Sequence, residues 1–246
     1  MSTCDCALIV PGLRYSQHFY ERRLGRSLKP DVDWLDLGCG HQVLPSWRGE
    51  REGELVSACR SVTGIDDDLP SLQHHRSVRR LVRRDISALP FADRSFDLVT
   101  ANMVVEHLGD PEQQFREVAR VLRPGGSFLL HTPNALGYPT MLGRLVPERV
   151  KGPLIRALDS RTSSDVFPTH YRANTGRRVT EVAERAGLTV VGLKMVATDA
   201  LFAVIPPLAA IELLTIRLLL TKPLRRFRSD IIAVLEKPKK AGVAAA

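Results

Sequence analysis

The chain has 246 residues, of which 44% are hydrophobic and 25% charged, so it can bury a substantial core in one large domain. This ordinary globular composition excludes collagen-like structure and long disordered tracts. The formal net charge of +8 permits an acidic partner without identifying one. Because the basic excess is divided between residues 76–84 and 222–228, we interpret it mainly as solvated faces.

The cysteines predict reduced thiols rather than a metal site. Cys4, Cys6, Cys39 and Cys59 form no CxxC element, and Cys4-x-Cys6 next to a terminus is a poor metal site. Reduced thiols are typical of a cytoplasmic protein. The first residues contain no basic stretch followed by an apolar core, so we predict no secretory signal and expect a cytoplasmic protein.

The first half of the chain alternates short apolar runs with helical stretches. Residues 1–30 predict an N-terminal helical cap, which Pro30 ends. Predicted strands lie at 33–37, 62–65, 80–84, 96–101 and 127–131, with helices ending near 60 and covering 69–77 and 111–122. Asp110-Pro111 opens the last of these helices as N-cap and first-turn proline. This alternation predicts a parallel sheet with helices on both faces.

The turn after the first strand contains two glycines, in Gly38-Cys39-Gly40. Glycine lets the backbone approach a ligand without a Cβ, and a following helix can present free N–H groups to it. A Gly-x-Gly pair alone is equally compatible with a plain tight turn. The residues at the ends of the other strands decide between these interpretations.

Polar residues end four of the predicted strands, namely Asp36, Asp66, Asp85 and Asn102. In parallel sheets the carboxyl ends of the strands meet at one crevice, where ligands bind. Asp66 is suited to accept hydrogen bonds from the two hydroxyls of a ribose, and Asp85 from the exocyclic amine of an adenine. Either acid alone is also explained as a helix N-cap, but four polar strand ends in register favour a nucleoside-like ligand.

Six motifs in a fixed order resemble those of the class I S-adenosylmethionine-dependent methyltransferases. They are Leu35-Asp36-Leu37-Gly38-Cys39-Gly40, Gly64-Ile65-Asp66, Asp85-Ile86 with Leu89-Pro90-Phe91, Ser95-Phe96-Asp97-Leu98-Val99, Glu106-His107-Leu108 and Leu122-Arg123-Pro124-Gly125-Gly126. Each motif is weak by itself, whereas all six in this order are highly specific. The resemblance is strong over residues 32–134 and looser towards the C-terminus.

The resemblance implies an α/β fold: a Rossmann-like, doubly wound sheet of seven mostly parallel strands, the last antiparallel, with helices on both faces. It implies one methyltransferase domain over residues 1–246 and S-adenosylmethionine as the cofactor that donates the methyl group. The residues implied for its amino-acid end, ribose, adenine and sulfonium are, in that order, Asp36 with Gly38 and Gly40, Asp66, Asp85 with Ile86, and Asn102 with Met103. Cys39, between the two glycines, and Asp67, directly after Gly64-Ile65-Asp66, complete the predicted donor-binding set.

The chain departs from the family's pattern directly after the glycines. Many relatives have a small residue there, whereas His41 and Gln42 follow Gly40, and we expect this bulkier wall to face the acceptor or the methionine moiety. A dinucleotide oxidoreductase is disfavoured, because Val43 occupies the third glycine position of its fingerprint. A non-catalytic S-adenosylmethionine-binding module is the remaining alternative, which the intact acids and glycines disfavour.

A metal ion is not expected. Glu106-His107 resembles half of the Glu-x-x-Glu-His ligand set of some related methyltransferases. Met103 replaces the first glutamate of that set and is a poor ligand for a hard cation. We therefore predict a structural role for Glu106 and His107.

Four histidines are candidates for a general base. Methyl transfer from a sulfonium is an in-line displacement on an activated carbon, in which the protein mainly orients the acceptor and excludes water. An oxygen or nitrogen acceptor can in addition need a base. The candidates are His41, His107, His131 and His170, and the sequence does not choose among them.

Two insertions are predicted in the C-terminal part. Residues 137–173 are irregular and basic, and we expect them to cover the acceptor site. Asn174-Thr175 predicts the cap of a helix that ends near residue 186. Strands at 189–196 and 230–235 flank the second insertion, residues 197–229, which is apolar and then basic.

The second insertion contains an apolar run at 201–220 that Pro206-Pro207 interrupts. A helix over 207–220 would be about 21 Å long against about 30 Å of hydrocarbon, so we predict no membrane span. We favour a hydrophobic wall of the acceptor site or of a dimer. The alternative is peripheral membrane contact through 201–228, in which anionic headgroups meet the basic residues Lys222, Arg225, Arg226 and Arg228.

The expected partner is therefore a small-molecule acceptor or one linked to a lipid or glycan. Nucleic acid is not expected, because no basic stripe interleaved with aromatic residues is visible. The sequence does not fix the oligomeric state.

Overall fold

The computed structural model describes residue 10 and residues 13–145, 168–198 and 206–239. Its strands are β1 Asp33–Leu37, β2 Ser61–Asp66, β3 Arg80–Arg83, β4 Phe96–Asn102, β5 Leu122–Pro133, β6 Thr189–Val196 and β7 Asp230–Glu236. Its helices, numbered among the described residues, are α1 Ser16–Ser27, α2 Gly49–Ser57, α3 Leu69–Gln73, α4 Pro111–Val121, α5 Tyr138–Leu145, α6 Gly176–Arg185 and α7 Pro206–Leu219.

The seven strands form one sheet in the order β3-β2-β1-β4-β5-β7-β6. β1 to β5 pair in parallel, and β7 runs antiparallel to both β5 and β6. The predicted fold class, a doubly wound sheet with an antiparallel last strand, is confirmed. The strand order reverses between β1 and β4, and this is the point at which such sheets bind ligands.

Alternation along the strands divides the core between the two faces of the sheet. On one face, Leu35 and Leu130 pack with Phe115 of α4. On the other face, Trp34 packs with Leu24 of α1, so the helix predicted within residues 1–30 covers this side of the sheet. Side chains of β1 that alternate with the leucines, including Asp36, therefore point towards α1.

Side-chain caps fix the helices on the opposite face. Asp110 accepts a hydrogen bond from the Gln113 N–H at 3.1 Å and Pro111 begins α4, as predicted. Thr175 accepts from the Arg178 N–H at 3.2 Å at the start of α6. Its neighbour Asn174 is buried and donates instead to the Thr132 hydroxyl at 2.6 Å, so Thr175 alone forms the predicted cap.

Two predicted elements have different bounds. β5 begins at Leu122 rather than at 127, because Leu122 already pairs with Phe96 before an irregularity in the ladder. α3 ends at Gln73 rather than at 77. It ends early because the ring Nδ1 of His75 accepts the N–H groups of Ser77 and Val78, at 3.3 and 3.2 Å, which turns the chain.

The two insertions are described in part. The prediction that residues 137–173 are irregular is wrong at their start, where α5 forms, and residues 146–167 lie outside the described residues, as do Cys4 and Cys6. The helix predicted over 207–220 is confirmed as α7, one residue earlier. None of the helices that the structure describes is long and apolar enough to cross a bilayer.

Candidate active site

The site is built around the two glycines that follow β1. Gly38 and Gly40 have φ angles of +58° and +51°, a left-handed conformation that a residue with a Cβ adopts only at a cost. A Cβ on Gly38 would lie 2.6 Å from Val104, so this glycine is also required by space. A Cβ on Gly40 would meet no atom within 4 Å. Val104 therefore fills the space next to Gly38, whereas the space next to Gly40 is open.

Asp66 ties this turn to the end of β2. Its Oδ2 accepts the Gly40 N–H at 2.8 Å, and its Oδ1 accepts the Asp68 N–H at 2.9 Å. Burial raises the pKa of this half-buried carboxyl, and the two N–H donors act in the opposite direction. A carboxylate has about four acceptor positions, so Asp66 keeps capacity for two further donors beside the open space at Gly40.

The chain after the turn is held by an ion pair rather than by a helix. Glu52 is fully buried, pairs with Arg76 and accepts the Leu44 N–H at 2.8 Å. Arg76 also donates its backbone N–H to the His41 carbonyl at 2.9 Å. α2 begins only at Gly49, so the expectation that a following helix presents its N–H groups at the glycines is wrong.

Asp36 lies beneath the turn and is only 3% exposed. The Thr100 hydroxyl donates to its carboxylate, and Trp34 Nε1 donates to Thr100 at 2.6 Å. Burial raises the pKa of Asp36 to about 7, with the charges of Glu52 and Asp66 adding to the shift. A cation placed at the turn would favour the ionised form of this carboxyl.

Asn102 and His131 meet at the ends of β4 and β5. His131 Nδ1 lies 2.8 Å from Asn102 Oδ1, and Asn102 Nδ2 lies 3.5 Å from the Val43 carbonyl. His131 is buried and stacks on the ring of Tyr20 of α1. Burial lowers its pKa to about 4, so the imidazole is neutral at neutral pH. Met103, next to Asn102, is 40% exposed with φ +59°.

The remaining predicted donor residues differ in how exposed they are. β3 ends at Arg83, so Asp85 lies in the loop after the strand rather than at its end. Its Oδ1 accepts the Ser87 N–H, and these hydrogen bonds lower the pKa of Asp85. Ile86 packs against the core, and Asp67 is exposed. Cys39 is buried, so only its backbone can face a ligand, and burial raises the pKa of its thiol.

The structure separates the four candidate bases. His41 and His170 are exposed. His107 Nδ1 lies 2.8 Å from the Pro168 carbonyl, which ties the loop before Asn174 to the turn after β4. Among the described residues, His131 is the candidate whose ring contacts a predicted donor residue.

Comparison with known proteins finds methyltransferases. Residues 35–130 match the family model described as a methyltransferase domain. A protein of Mycolicibacterium smegmatis described as a probable S-adenosylmethionine-dependent methyltransferase is 32% identical over 193 residues, which cover 74% of this chain and 63% of that protein. Both matches confirm the resemblance to the class I S-adenosylmethionine-dependent methyltransferases that the motifs predicted.

Further known proteins share part of the sequence or the fold. A malonyl-[acyl-carrier protein] O-methyltransferase of Pseudescherichia vulneris is 33% identical over 137 residues, 54% of this chain and 47% of that protein. The chain therefore spans less than two thirds of the length of these curated relatives. A solved S-adenosylmethionine-dependent methyltransferase of Methanosarcina mazei superimposes with a TM-score of 0.55 at 18% identity, covering 87% of this chain and 95% of that one.

Two side chains at this site, those of Thr100 and Tyr20, are not among the residues that the motifs predicted. Thr100 stands two residues before Asn102 in β4 and so shares its face of the sheet, which was an available signal. Tyr20 lies within the predicted N-terminal cap, and nothing in the sequence indicated that it would reach His131.

Glu106 has the structural role that was predicted. Its carboxylate accepts from the Thr132 hydroxyl at 2.8 Å, and its carbonyl accepts the N–H groups of His170 and Tyr171. Within the described ranges, no group of three or more His, Cys, Asp or Glu residues is arranged to hold a metal ion.

Proposed function

We propose that this chain is an S-adenosylmethionine-dependent methyltransferase that transfers a methyl group to a small-molecule or lipid-linked acceptor by in-line displacement. The observation that carries the proposal is the coupling of Gly40 to Asp66 beside open space. A backbone without a Cβ and a carboxylate with spare acceptor positions together suit a ribose and the adjoining amino-acid chain. The name of the Mycolicibacterium smegmatis relative supports the same donor.

Each part of the donor has a counterpart in the site. Asp66 would accept from the ribose hydroxyls, and Asp85, held by Ser87, would accept from the adenine amine. Asp36, with its raised pKa, would be ionised by the donor's ammonium group. Two partners hold the Asn102 amide, so it would be fixed before the sulfonium arrives.

S-adenosylmethionine supplies, when bound, a methyl group on a positively charged sulfur. The protein's part is to hold the acceptor in line and to exclude water. Buried Val104 fills the space next to Gly38, and the carbonyl of buried Val43 accepts from the Asn102 amide, so both residues keep water from the inner side of the site. A neutral His131 with a pKa of about 4 is a weak proton acceptor at neutral pH, so we propose that it positions Asn102.

A cavity between the N-terminal segment and Trp47, which follows the glycine turn in the chain, supports a small acceptor. It has a volume of about 480 Å³ and is lined by Leu13, Arg14, Tyr15, His18 and Trp47. The Trp47 ring meets the rings of Tyr15 and His18 edge to face, at 5.8 and 5.5 Å between centroids. Sites for small organic molecules have this size and this mixture of aromatic walls with a few polar groups.

Calorimetric titration with S-adenosylmethionine tests the donor site. We expect Asp66→Asn to weaken donor binding at least about tenfold, because charge-assisted hydrogen bonds to hydroxyls are lost. Asp31→Asn, at an exposed carboxylate before β1, is the matched control and should leave the affinity unchanged. Equal affinities for the wild type and Asp66→Asn would contradict the proposal.

A screen of acceptor classes with methyl-labelled donor tests catalysis. Labelled product from one class supports the enzyme, whereas tight donor binding without product from any class supports the non-catalytic module. Single alanine variants of the four histidines are further arms of this assay. A base shows itself as a variant with low kcat and unchanged donor affinity, and near-normal turnover in all four variants means that proximity suffices.

A further inference from the structure

Helix α7 presents two different faces. Ala209, Leu213, Ile216 and Leu219 are buried against the rest of the chain. The opposite side, which we call the α7 face, carries four exposed apolar residues: Leu208, Ile211, Leu214 and Leu218, of which the last three are 58 to 63% exposed. Their spacing of three and four residues places them in one stripe along the helix.

No acidic side chain interrupts the α7 face, and the exposed Arg217 of α7 adds a positive charge next to Leu218. Glu212, the acidic residue of α7, points inward and accepts a hydrogen bond from the Tyr138 hydroxyl at 2.8 Å. That bond joins α7 to α5, which itself exposes Met141 and Leu142. Soluble proteins rarely leave contiguous apolar surface of this kind without a partner.

Directly after α7 comes a basic loop, residues 221–228. Lys222, Arg225 and Arg226 are exposed, and within the described residues no acidic side chain pairs with them. Arg228, predicted to join them, does not. Its guanidinium donates to the Leu219 and Leu220 carbonyls at 3.0 and 2.7 Å and so caps the C-terminus of α7.

The basic loop has a fixed position. Asn134 Nδ2, at the end of β5, donates to the Arg226 and Arg228 carbonyls at 2.8 and 2.7 Å. The three exposed cations are thereby held at the end of the apolar stripe. An apolar face bordered by cations is typical of helices that lie in the interface of an anionic membrane.

A cavity of about 170 Å³ continues this surface towards α1. Its lining includes Arg14, Lys194 and Arg228 above an apolar floor that reaches Leu220. The Lys194 ammonium lies 4.1 Å from the centre of the Phe19 ring. Burial lowers the pKa of Lys194, and the charges of Arg22 and Arg228 lower it further, because these cationic groups lie close to one another. Such a cavity suits an anionic headgroup.

We propose that the α7 face and the basic loop bind the surface of an anionic lipid bilayer, with α7 lying in the plane of the interface. The basic loop next to the α7 face favours a lipid surface as the partner. Its three exposed cations would meet anionic headgroups, while the apolar stripe would meet the acyl chains. The inference goes beyond methyl transfer, because the binding needs neither the donor nor the glycine turn.

Flotation of the full chain with vesicles tests the proposal without donor or acceptor. We expect binding to phosphatidylcholine vesicles that contain about 30% phosphatidylglycerol, and at least tenfold weaker binding to phosphatidylcholine alone or at about 1 M salt. Leu214→Glu with Leu218→Glu should weaken binding at least tenfold. Leu69→Glu, at an exposed leucine of α3 near the other edge of the sheet, should leave it unchanged.

A second pair of variants separates a specific surface from net charge. Arg225→Gln with Arg226→Gln should weaken binding to anionic vesicles several-fold. Arg79→Gln with Arg80→Gln removes the same charge at β3, on the opposite edge of the sheet, and should have no effect. Thermal melting of each variant confirms that it is folded.

Three results would overturn the proposal. They are absence of wild-type binding at low salt, equal loss in the two arginine pairs, and a dimer in light scattering that Leu214→Glu with Leu218→Glu converts to a monomer while vesicles are not bound. The last result would assign the α7 face to a second copy of the chain.

Discussion

The two ends of the sheet differ in how their functional residues are held. At the donor end, formed by β1, β2 and β4, short contacts within successive strand ends fix the site, as between Gly40 and Asp66. At the insertion end, formed by β5, β7 and β6, Arg228 and Asn134 reach back to carbonyls of α7 and of the basic loop. Sequence motifs therefore predict the residues of the donor end, whereas a function for the insertion end can be inferred only from the side chains that it exposes.

Each end also contains one buried carboxyl with the same anomaly. Burial raises the pKa of both Asp36 and Asp230 to about 7. The Thr100 hydroxyl bonds Asp36, and Ser16 of α1 bonds Asp230. Asp36 lies under the glycine turn, where a cationic donor is proposed, whereas the charge of Glu106 raises the pKa of Asp230 further. A buried carboxyl with a raised pKa can thus contribute to ligand binding at the donor end, whereas at the insertion end it only lowers the stability of the fold.

The largest expected effect distinguishes the two glycines of the donor end. Gly38→Ala should destabilise the fold by about 2 to 5 kcal/mol, because left-handed strain adds to the clash with Val104. Gly40→Ala should cost about 1 to 2 kcal/mol from strain alone, since its Cβ meets nothing. Urea unfolding measures both, and equal losses would mean that Val104 gives way freely.

Gly40→Ala should instead affect the ligand. A methyl group above Gly40 would occupy the space proposed for the donor, so calorimetry should show weaker donor binding despite the mild loss of stability. If a folded Gly40→Ala variant binds the donor with unchanged affinity, the donor does not occupy the space next to Gly40.

The next effect isolates the carboxyl of the insertion end. The folded chain holds a proton on Asp230 up to a pH of about 7, whereas the unfolded chain releases it near 4, so this group lowers stability as pH rises from 4 to 7. Asp230→Asn should therefore stabilise the protein more at pH 8 than at pH 4. The difference between its effects on the free energy of unfolding at the two pH values should be up to about 4 kcal/mol. Asp31→Asn, at an exposed carboxylate, should change neither value.

The smallest effect concerns the donor and Asp36. Binding of a cationic donor favours ionised Asp36, so binding releases a proton below pH 7, and donor affinity should fall about tenfold per pH unit from 7 to 5. Calorimetry across pH measures this slope. Asp36→Asn should abolish this pH dependence, and Asp230→Asn should leave it unchanged. If the wild-type affinity does not change with pH, the donor does not interact with the charge of Asp36.

Much of the donor end follows from local sequence. Alternation in the first strand determined that Asp36 and Leu37 lie on opposite faces, and two glycines at the turn anticipated the left-handed angles found there. Both rest on neighbours in the chain, for which short-range sterics suffice. The order of strand ends then placed Asp66 beside the glycines.

Only the tertiary structure decided what those residues touch. The Thr100 hydroxyl that bonds Asp36 is 64 positions away, and the Asn102 that holds His131 is 29 away. The role of Arg228 was hidden at shorter range: its neighbours predicted an exposed cation, but its guanidinium donates to carbonyls 9 and 8 residues earlier and caps α7. The sequence determines which side chains have the right chemistry and where the strands end, because those are local properties. Burial and partners depend on how distant segments pack, and packing selected which of the predicted residues remain exposed.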